Sequence, residues 1–278
     1  MRIDDSDVAR ELILKAIKLG AIDLTIDVMT RPEFVLPDEV LESQTLTRLS
    51  VCDASVEFER RNKPLTSSNL KSLTLDCTLT KGDFSYLSRI FPLLEELKMQ
   101  SVHLNTEDSL SKSELWLQFP CLKKLVIWNC YFAKAKVKFD VPNIRKFVFV
   151  GDDVSRLELK TSSREWESYI HIICWDFIGS ASWLRSLKQF VKVLSPSRVS
   201  LALHLYCRQL RVEDGFVGDD LAIPAVEDLT ISGLEVSPEF LNALLRSFRP
   251  NFVDIQRRHE RGIERCMSKL FTAMFLEI

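Results

Sequence analysis

Apolar residues recur along this chain in a short figure, L-x-x-L-x-L, with further apolar positions a few residues on. Leu46, Leu49 and Val51 form one copy, continuing to Ala54 and Val56. Leu94, Leu97 and Met99 form another, as do Leu122, Leu125 and Ile127, then Ile144, Phe147 and Phe149, then Val226, Leu229 and Ile231. Leu70, Leu73 and Leu75 fit the first half and then depart. The fourth positions fall at 49, 73, 97, 125 and 147, so the steps are 24, 24, 28 and 22 residues. Alternation with period two places those side chains on one face of a short strand. One strand cannot bury that face alone, but stacked copies share a continuous core.

A chain that repeats strands in parallel needs return paths between them, and several segments read as helices. Phe84, Leu87, Ile90 and Phe91 make a stripe that Asp83 can cap and Pro92 stops. Ser237-Pro238-Glu239 opens a helix carrying Phe240, Leu241, Leu244, Leu245 and Phe248. Near the start, Val8, Leu12, Ile13, Ala16 and Ile17 form a stripe, Gly20 suits a left-handed stop, and the strand Ile22–Ile26 follows. Between 155 and 210 the register blurs; a strand near Tyr169–Cys174, a helix over Ser182–Leu194 and a strand near Val199–Leu205 are expected. Ile263, Cys266, Met267, Leu270, Phe271 and Met274 recur at helical spacing, which predicts a capping helix over 257–276. The period and the template predict an α/β leucine-rich-repeat solenoid, a ribonuclease-inhibitor-like horseshoe of about eight to ten units in one domain, 1–278. Parallel strands would line its concave face, with helices or irregular segments on the convex face.

Composition narrows the chemistry. Of the 278 residues, 46% are apolar and 27% charged, the balance of an ordinary globular chain. Thirty-seven basic against thirty-nine acidic residues leave a net charge of −2, without the basic excess of a nucleic-acid binder. Eight glycines, of which only Gly215 and Gly218 lie close together, give no phosphate loop or dinucleotide fingerprint. The acidic start and the lack of a long apolar run predict neither a secretory signal nor a membrane span. Seven cysteines without CxxC pairs, and no glycosylation sequon, suit a reducing cytoplasmic or nuclear setting.

Six segments together resemble plant F-box/leucine-rich-repeat proteins: 36–51 (LPDEVLESQTLTRLSV), 69–77, 87–99, 119–130 (FPCLKKLVIWNC), 141–153 (VPNIRKFVFVGDD) and 225–233. The resemblance covers about residues 8 to 250. It implies a non-enzymatic module whose repeats recruit a target protein to a cullin-type ubiquitin ligase. In that family an N-terminal F-box grips a Skp-type adaptor. Leu36–Leu41 looks like an F-box opening, but the chain runs straight into the repeat at Leu46, leaving no room for three helices. Adaptor binding is therefore not expected of this chain. The repeat portion of a plant intracellular immune receptor is an alternative that lacks a nucleotide-binding motif here. An enzyme with a loop-borne site is a further alternative, without a motif.

No catalytic motif surrounds His103, His171, His204 or His259. His204 and Cys207 make half a zinc site, short of the three or four ligands needed, and no cofactor is expected. Cys130 falls where the repeat favours Asn or Cys, which predicts a buried thiol acting as a small apolar group; Cys52 and Cys77 are similar. Gly151-Asp152-Asp153 and Gly218-Asp219-Asp220 read as turns. Lys134, Lys136 and Lys138 share one solvated strand face, and Arg257, Arg258 and Arg261 open the last helix.

The residues between the inward leucines point the other way. Most are polar: Arg48 and Ser50, then Ser72, Thr74 and Asp76, then Glu96, Lys98 and Gln100, and near the end Asp228, Thr230 and Ser232. Two central repeats instead present Lys124, Val126 and Trp128, then Lys146, Val148 and Val150. Neighbouring strands lie about 4.8 Å apart, so these six should form an apolar patch edged by two lysines. Such a patch either receives the target protein or lies under a loop from the irregular region 155–180.

Overall fold

The computed structural model describes residues 6–27, 36–52, 69–105, 114–132, 135–174, 181–206, 223–233 and 238–257. The fold is α/β, mostly parallel strands in a large sheet with some helices. Contacts group the chain into two compact units, Met1–Tyr169 with Pro196–Arg198, and Ile170–Ser195 with Val199–Ile278.

The first unit begins with α1 (Ser6–Lys18), β1 (Asp23–Asp27), α2 (Asp38–Glu42), β2 (Arg48–Cys52) and β3 (Ser72–Asp76). It continues through β4 (Thr78–Thr80), α3 (Lys81–Ile90), β5 (Glu96–Gln100), β6 (His103–Asn105) and β7 (Glu114–Gln118). Then come β8 (Lys124–Trp128), β9 (Lys136–Asp140), β10 (Lys146–Gly151) and β11 (Leu157–Lys160). Strands β1, β2, β3, β5, β8 and β10 are parallel neighbours in that order. The register is the one the spacing requires: Leu24, Leu49, Leu73, Leu97, Leu125 and Phe147 pair in sequence across the sheet. From Leu49 onward this row is at most 4% exposed, and so is the next, Val51, Leu75, Met99, Ile127 and Phe149. Each strand thus buries the alternate residues that the repeat marks as apolar.

The turn after β5 puts Ser101 at φ 44°, and the turn after β8 puts Asn129 at φ 48°. Asn enters the left-handed region more readily than most residues, which suits it to this corner. Side chains bind each repeat to the one before: Asn69 Nδ2 donates to Gln44 O at 2.8 Å, and Asn143 Nδ2 donates to Pro120 O at 2.7 Å.

The return paths differ from expectation. Helix α3 forms as predicted and buries Phe84, Leu87 and Ile90, but its cap is Thr80, whose Oγ1 accepts from Asp83 N at 3.1 Å. Asp83 sits inside the first turn, where its carboxylate accepts from the Thr80 hydroxyl at 2.5 Å. Three later return segments are neither helical nor irregular. They form a second parallel sheet in the order β11-β9-β7, with Leu115 and Leu117, Val137 and Phe139, and Leu157 and Leu159 turned inward. Helix α1 also faces otherwise than predicted: Ala9 and Ile13 are buried, while Val8 and Leu12 are exposed.

The remaining elements are β12 (Glu167–Cys174), α4 (Ala181–Leu194), β13 (Arg198–Leu205), β14 (Ala225–Gly233), α5 (Pro238–Ser247) and β15 (Arg249–Arg257). The start of β12 up to Tyr169 and Arg198 of β13 belong to the first unit, and the rest to the second. Strands β13, β14 and β15 pair in parallel, aligning Leu201, Leu229 and Val253. Strand β15 occupies residues for which the sequence pattern gave no element, and Arg257 ends a strand instead of opening a helix. Most of the capping helix expected over 257–276 lies outside the described residues.

Candidate protein-binding face

Side chains on the outward face of the first unit's sheet fall into three rows. Asp23, Arg48, Ser72, Glu96, Lys124 and Lys146 share one. Thr25, Ser50, Thr74, Lys98, Val126 and Val148 share the next. In the third, Cys52 pairs with Asp27 and Asp76, while Trp128 pairs with Gln100 and Val150.

The six residues expected to form a patch are therefore brought together, but its apolar centre is not open to solvent. Val126 is 7% exposed, Trp128 8%, Val148 3% and Val150 2%. Of the two readings, a patch open to a partner and a patch covered by the chain, these exposures favour the covered one. Alternation fixes the direction of a side chain and carries no information on what lies over it. Within the region 155–180, β11 and the whole of β12 occupy much of 155–174, and β12 includes the strand expected near Tyr169–Cys174.

The two lysines are also engaged. Lys124 Nζ lies 2.8 Å from Glu96, which Lys98 approaches at 3.4 Å and to which Ser72 Oγ donates at 3.3 Å. Burial pushes the Glu96 carboxyl up, but the hydrogen bond from Lys124 and the charges of Lys98 and Lys124 outweigh it, so its pKa falls below the ordinary range. Lys146 Nζ sits 5.3 Å from the centroid of the Tyr169 ring, a cation–π distance. The solvent-facing part of the face is polar: Arg48, ion-paired to Asp23 at 2.8 Å, with Ser50, Ser72 and Thr74 half-buried beside it.

Of the thiols expected to be buried, Cys77 is buried, while Cys52 and Cys130 are half-buried. Cys130 is half-buried as a residue, yet its sulfur lies 3.4 Å from the carbonyl oxygens of both Met99 and Trp128. Burial pushes its pKa up to about 12, and does the same to Cys77. In the second unit, His204 is buried and its Nδ1 is 2.9 Å from Ser232 Oγ; Cys207, the other member of the incomplete zinc pair, lies outside the described residues. No group of three or more His, Cys, Asp or Glu among the described residues could hold a metal ion. Asp153 forms a turn, accepting from Ser155 N at 2.8 Å; Asp219 and Asp220 lie outside the described residues.

Lys136 and Lys138 share one face of β9, as expected, and that face is charge-balanced. Lys136 pairs with Glu158, and Lys138 with Glu114 at 2.9 Å and Glu158 at 3.4 Å. Lys134, Arg258 and Arg261 are outside the described residues. Sequence reasoning overlooked Trp116, which stands on the polar phase of Glu114-Leu-Trp-Leu-Gln118 and is 57% exposed. The alternation of that pentapeptide was the available signal. No helix among the described residues is long and apolar enough to cross a membrane.

The chain is similar to plant F-box/LRR-repeat proteins. One from Arabidopsis thaliana is 31% identical over 153 residues, which is 53% of this chain and 30% of that protein. A second from the same organism is 27% identical over 154 residues, 50% of this chain and 33% of that protein. The chain thus spans about a third of the length of these curated relatives. No protein-family profile matches it, and no solved structure matches it.

Proposed function

We propose that this chain is a leucine-rich-repeat solenoid that binds a partner protein without catalysing a reaction. The observation that carries the reading is the row Leu49, Leu73, Leu97, Leu125 and Phe147, paired strand to strand at repeat spacing. Similarity to F-box/LRR-repeat proteins supports the finer reading, that the partner is the target of a cullin-type ubiquitin ligase in the cytoplasm or nucleus. The contact surface is the outward face of the sheet. Its polar half on β2, β3 and β5 meets the partner, and the covered residues Val126, Trp128, Val148 and Val150 support it from beside. On this reading a Skp-type adaptor is not a partner of this chain, which is supported by the passage of Leu36–Leu41 through the short helix α2 into β2.

Proximity labelling with the full chain as bait tests the reading. A partner retained by wild type should be lost on Ser50→Arg with Thr74→Arg, which crowd the outward face. It should be retained on Glu114→Arg, which alters the second sheet. Partners that respond equally to both changes, or a Skp-type adaptor that co-purifies stoichiometrically, would overturn it.

A further inference from the structure

An open cavity of about 650 Å³ lies in the first unit, along the loops that enter β5, β8, β10 and β12. Its walls are fixed from one repeat to the next. Asn143 Nδ2 donates to Pro120 O at 2.7 Å, and Ser162 Oγ donates to Pro142 O at 3.2 Å. Pro120 and Pro142 are thereby held as two apolar ledges one repeat apart.

Charge on the lining is unevenly spent. Glu95 is taken by Lys123 at 2.5 Å and by Lys71 at 3.8 Å. Arg145 and Arg164 also line the cavity, are exposed, and make no ion pair among the described residues. Two planar guanidiniums thus line the cavity; the charge of Arg145 acts on Glu95, but neither donor fork makes an ion pair or hydrogen bond among the described residues. That fork fits a carboxylate in bidentate fashion.

We propose that this cavity is a docking site for a carboxylate-rich peptide segment of a partner protein, with Arg145 and Arg164 each receiving one acidic side chain. The assignment rests on the protein-binding reading above and adds the chemistry of the bound segment. A nucleic-acid backbone or a dianionic phosphate is disfavoured, because Glu95 and Glu165 line the same space. Singly charged carboxylates, one per arginine, tolerate those neighbours better. The proline ledges give an extended main chain apolar surface to lie on.

The test is fluorescence anisotropy on the full chain, with a labelled eight-residue peptide of alternating Glu and Gly at low salt. Matching Gln–Gly and Lys–Gly peptides serve as controls. The Glu peptide alone should bind. The double variant Arg145→Ala, Arg164→Ala should weaken it on the order of tenfold or more, with binding falling further as salt rises. Lys160→Ala, which removes a cation elsewhere in the first unit, should change it less than about twofold. Circular dichroism confirms that each variant is folded, and Arg164→Gln serves if the double variant is not. Failure of the Glu peptide to bind, or equal binding by the double variant, overturns the proposal. So does displacement by inorganic phosphate at a lower concentration than free glutarate requires, which marks a phosphate site. The broader reading fails separately: peptide binding could obey these rules while proximity labelling yields no partner sensitive to Ser50→Arg and Thr74→Arg.

Discussion

Replacing Trp128 by alanine should unfold this protein more readily, and replacing Trp116 should hardly matter. A buried tryptophan removes about 150–250 Å² from water. At ~25 cal/mol per Å² that is about 4–6 kcal/mol for the whole residue, an upper bound because the unfolded chain already hides some of it. Trp128 is 8% exposed and flanked on both sides by partners in register, Gln100 and Val150, so its deletion leaves a cavity that the strands cannot close. Truncations of this kind cost roughly 3–5 kcal/mol. Trp116 is 57% exposed, and Lys160 Nζ stands 5.9 Å from the centroid of its ring. An exposed cation–π contact contributes about 0.5–1 kcal/mol. Urea unfolding followed by far-UV circular dichroism avoids the lost fluorophore, and the midpoints convert to free energies if the slopes agree. A Trp128→Ala loss below about 1 kcal/mol, or one no larger than that of Trp116→Ala, would refute the conclusion that this face is covered.

Three further outcomes are expected. Thr80→Ala should cost about 1–2 kcal/mol, since the Asp83 amide and the buried Asp83 carboxylate both lose a partner, and Thr80→Ser should restore most of it; a neutral Thr80→Ala would refute the cap. Glu96 has a folded pKa below its unfolded value of about 4.5, so its contribution is complete above that value and is lost as pH falls through the lower folded one. Comparing urea midpoints at pH 7 and pH 3.5, Glu96→Gln should lose less than wild type, and an unchanged loss would show that the ion cluster contributes nothing. With pKa values near 12, Cys77 and Cys130 hold about one thiolate in ten thousand at pH 8. Iodoacetamide mapping by mass spectrometry should therefore find them far slower than the half-buried Cys121, and equal rates would refute their enclosure.

The parts of this fold legible in the sequence are those that a single strand encodes locally. Leu49, Leu73, Leu97, Leu125 and Phe147 were assigned to one row from their spacing, and they pair as one row. Alternation demands that result, since a slip of one residue would turn every leucine to the wrong face. The return paths were harder. Glu114–Gln118 and Lys136–Asp140 alternate as clearly as the repeat strands, but their polar phase carries Glu, Trp, Lys and Asp, and only neighbouring repeats give them partners. Strand β15 was missed because it begins Arg249-Pro250-Asn251, without the opening leucines of the template, and it leaves Phe252 and Ile255 exposed.

The outward face shows where local reasoning ends. Val126, Trp128, Val148 and Val150 break a polar pattern, and such a break has two physical resolutions: a partner from outside covers it, or the chain itself does. Both satisfy the same pattern of apolar residues, because the free energy of burial is indifferent to the origin of the covering atoms. Exposures of 2–8% decide for enclosure, and they move the candidate contact to side chains that a hydrophobicity pattern cannot rank. Arg145 and Arg164 are of that kind. Each is an ordinary polar position in its own repeat, one just before β10 and the other just before β12. Only the stacking of one repeat on the next makes them two walls of one cavity, so the site is a property of the assembled array and is written in no single repeat.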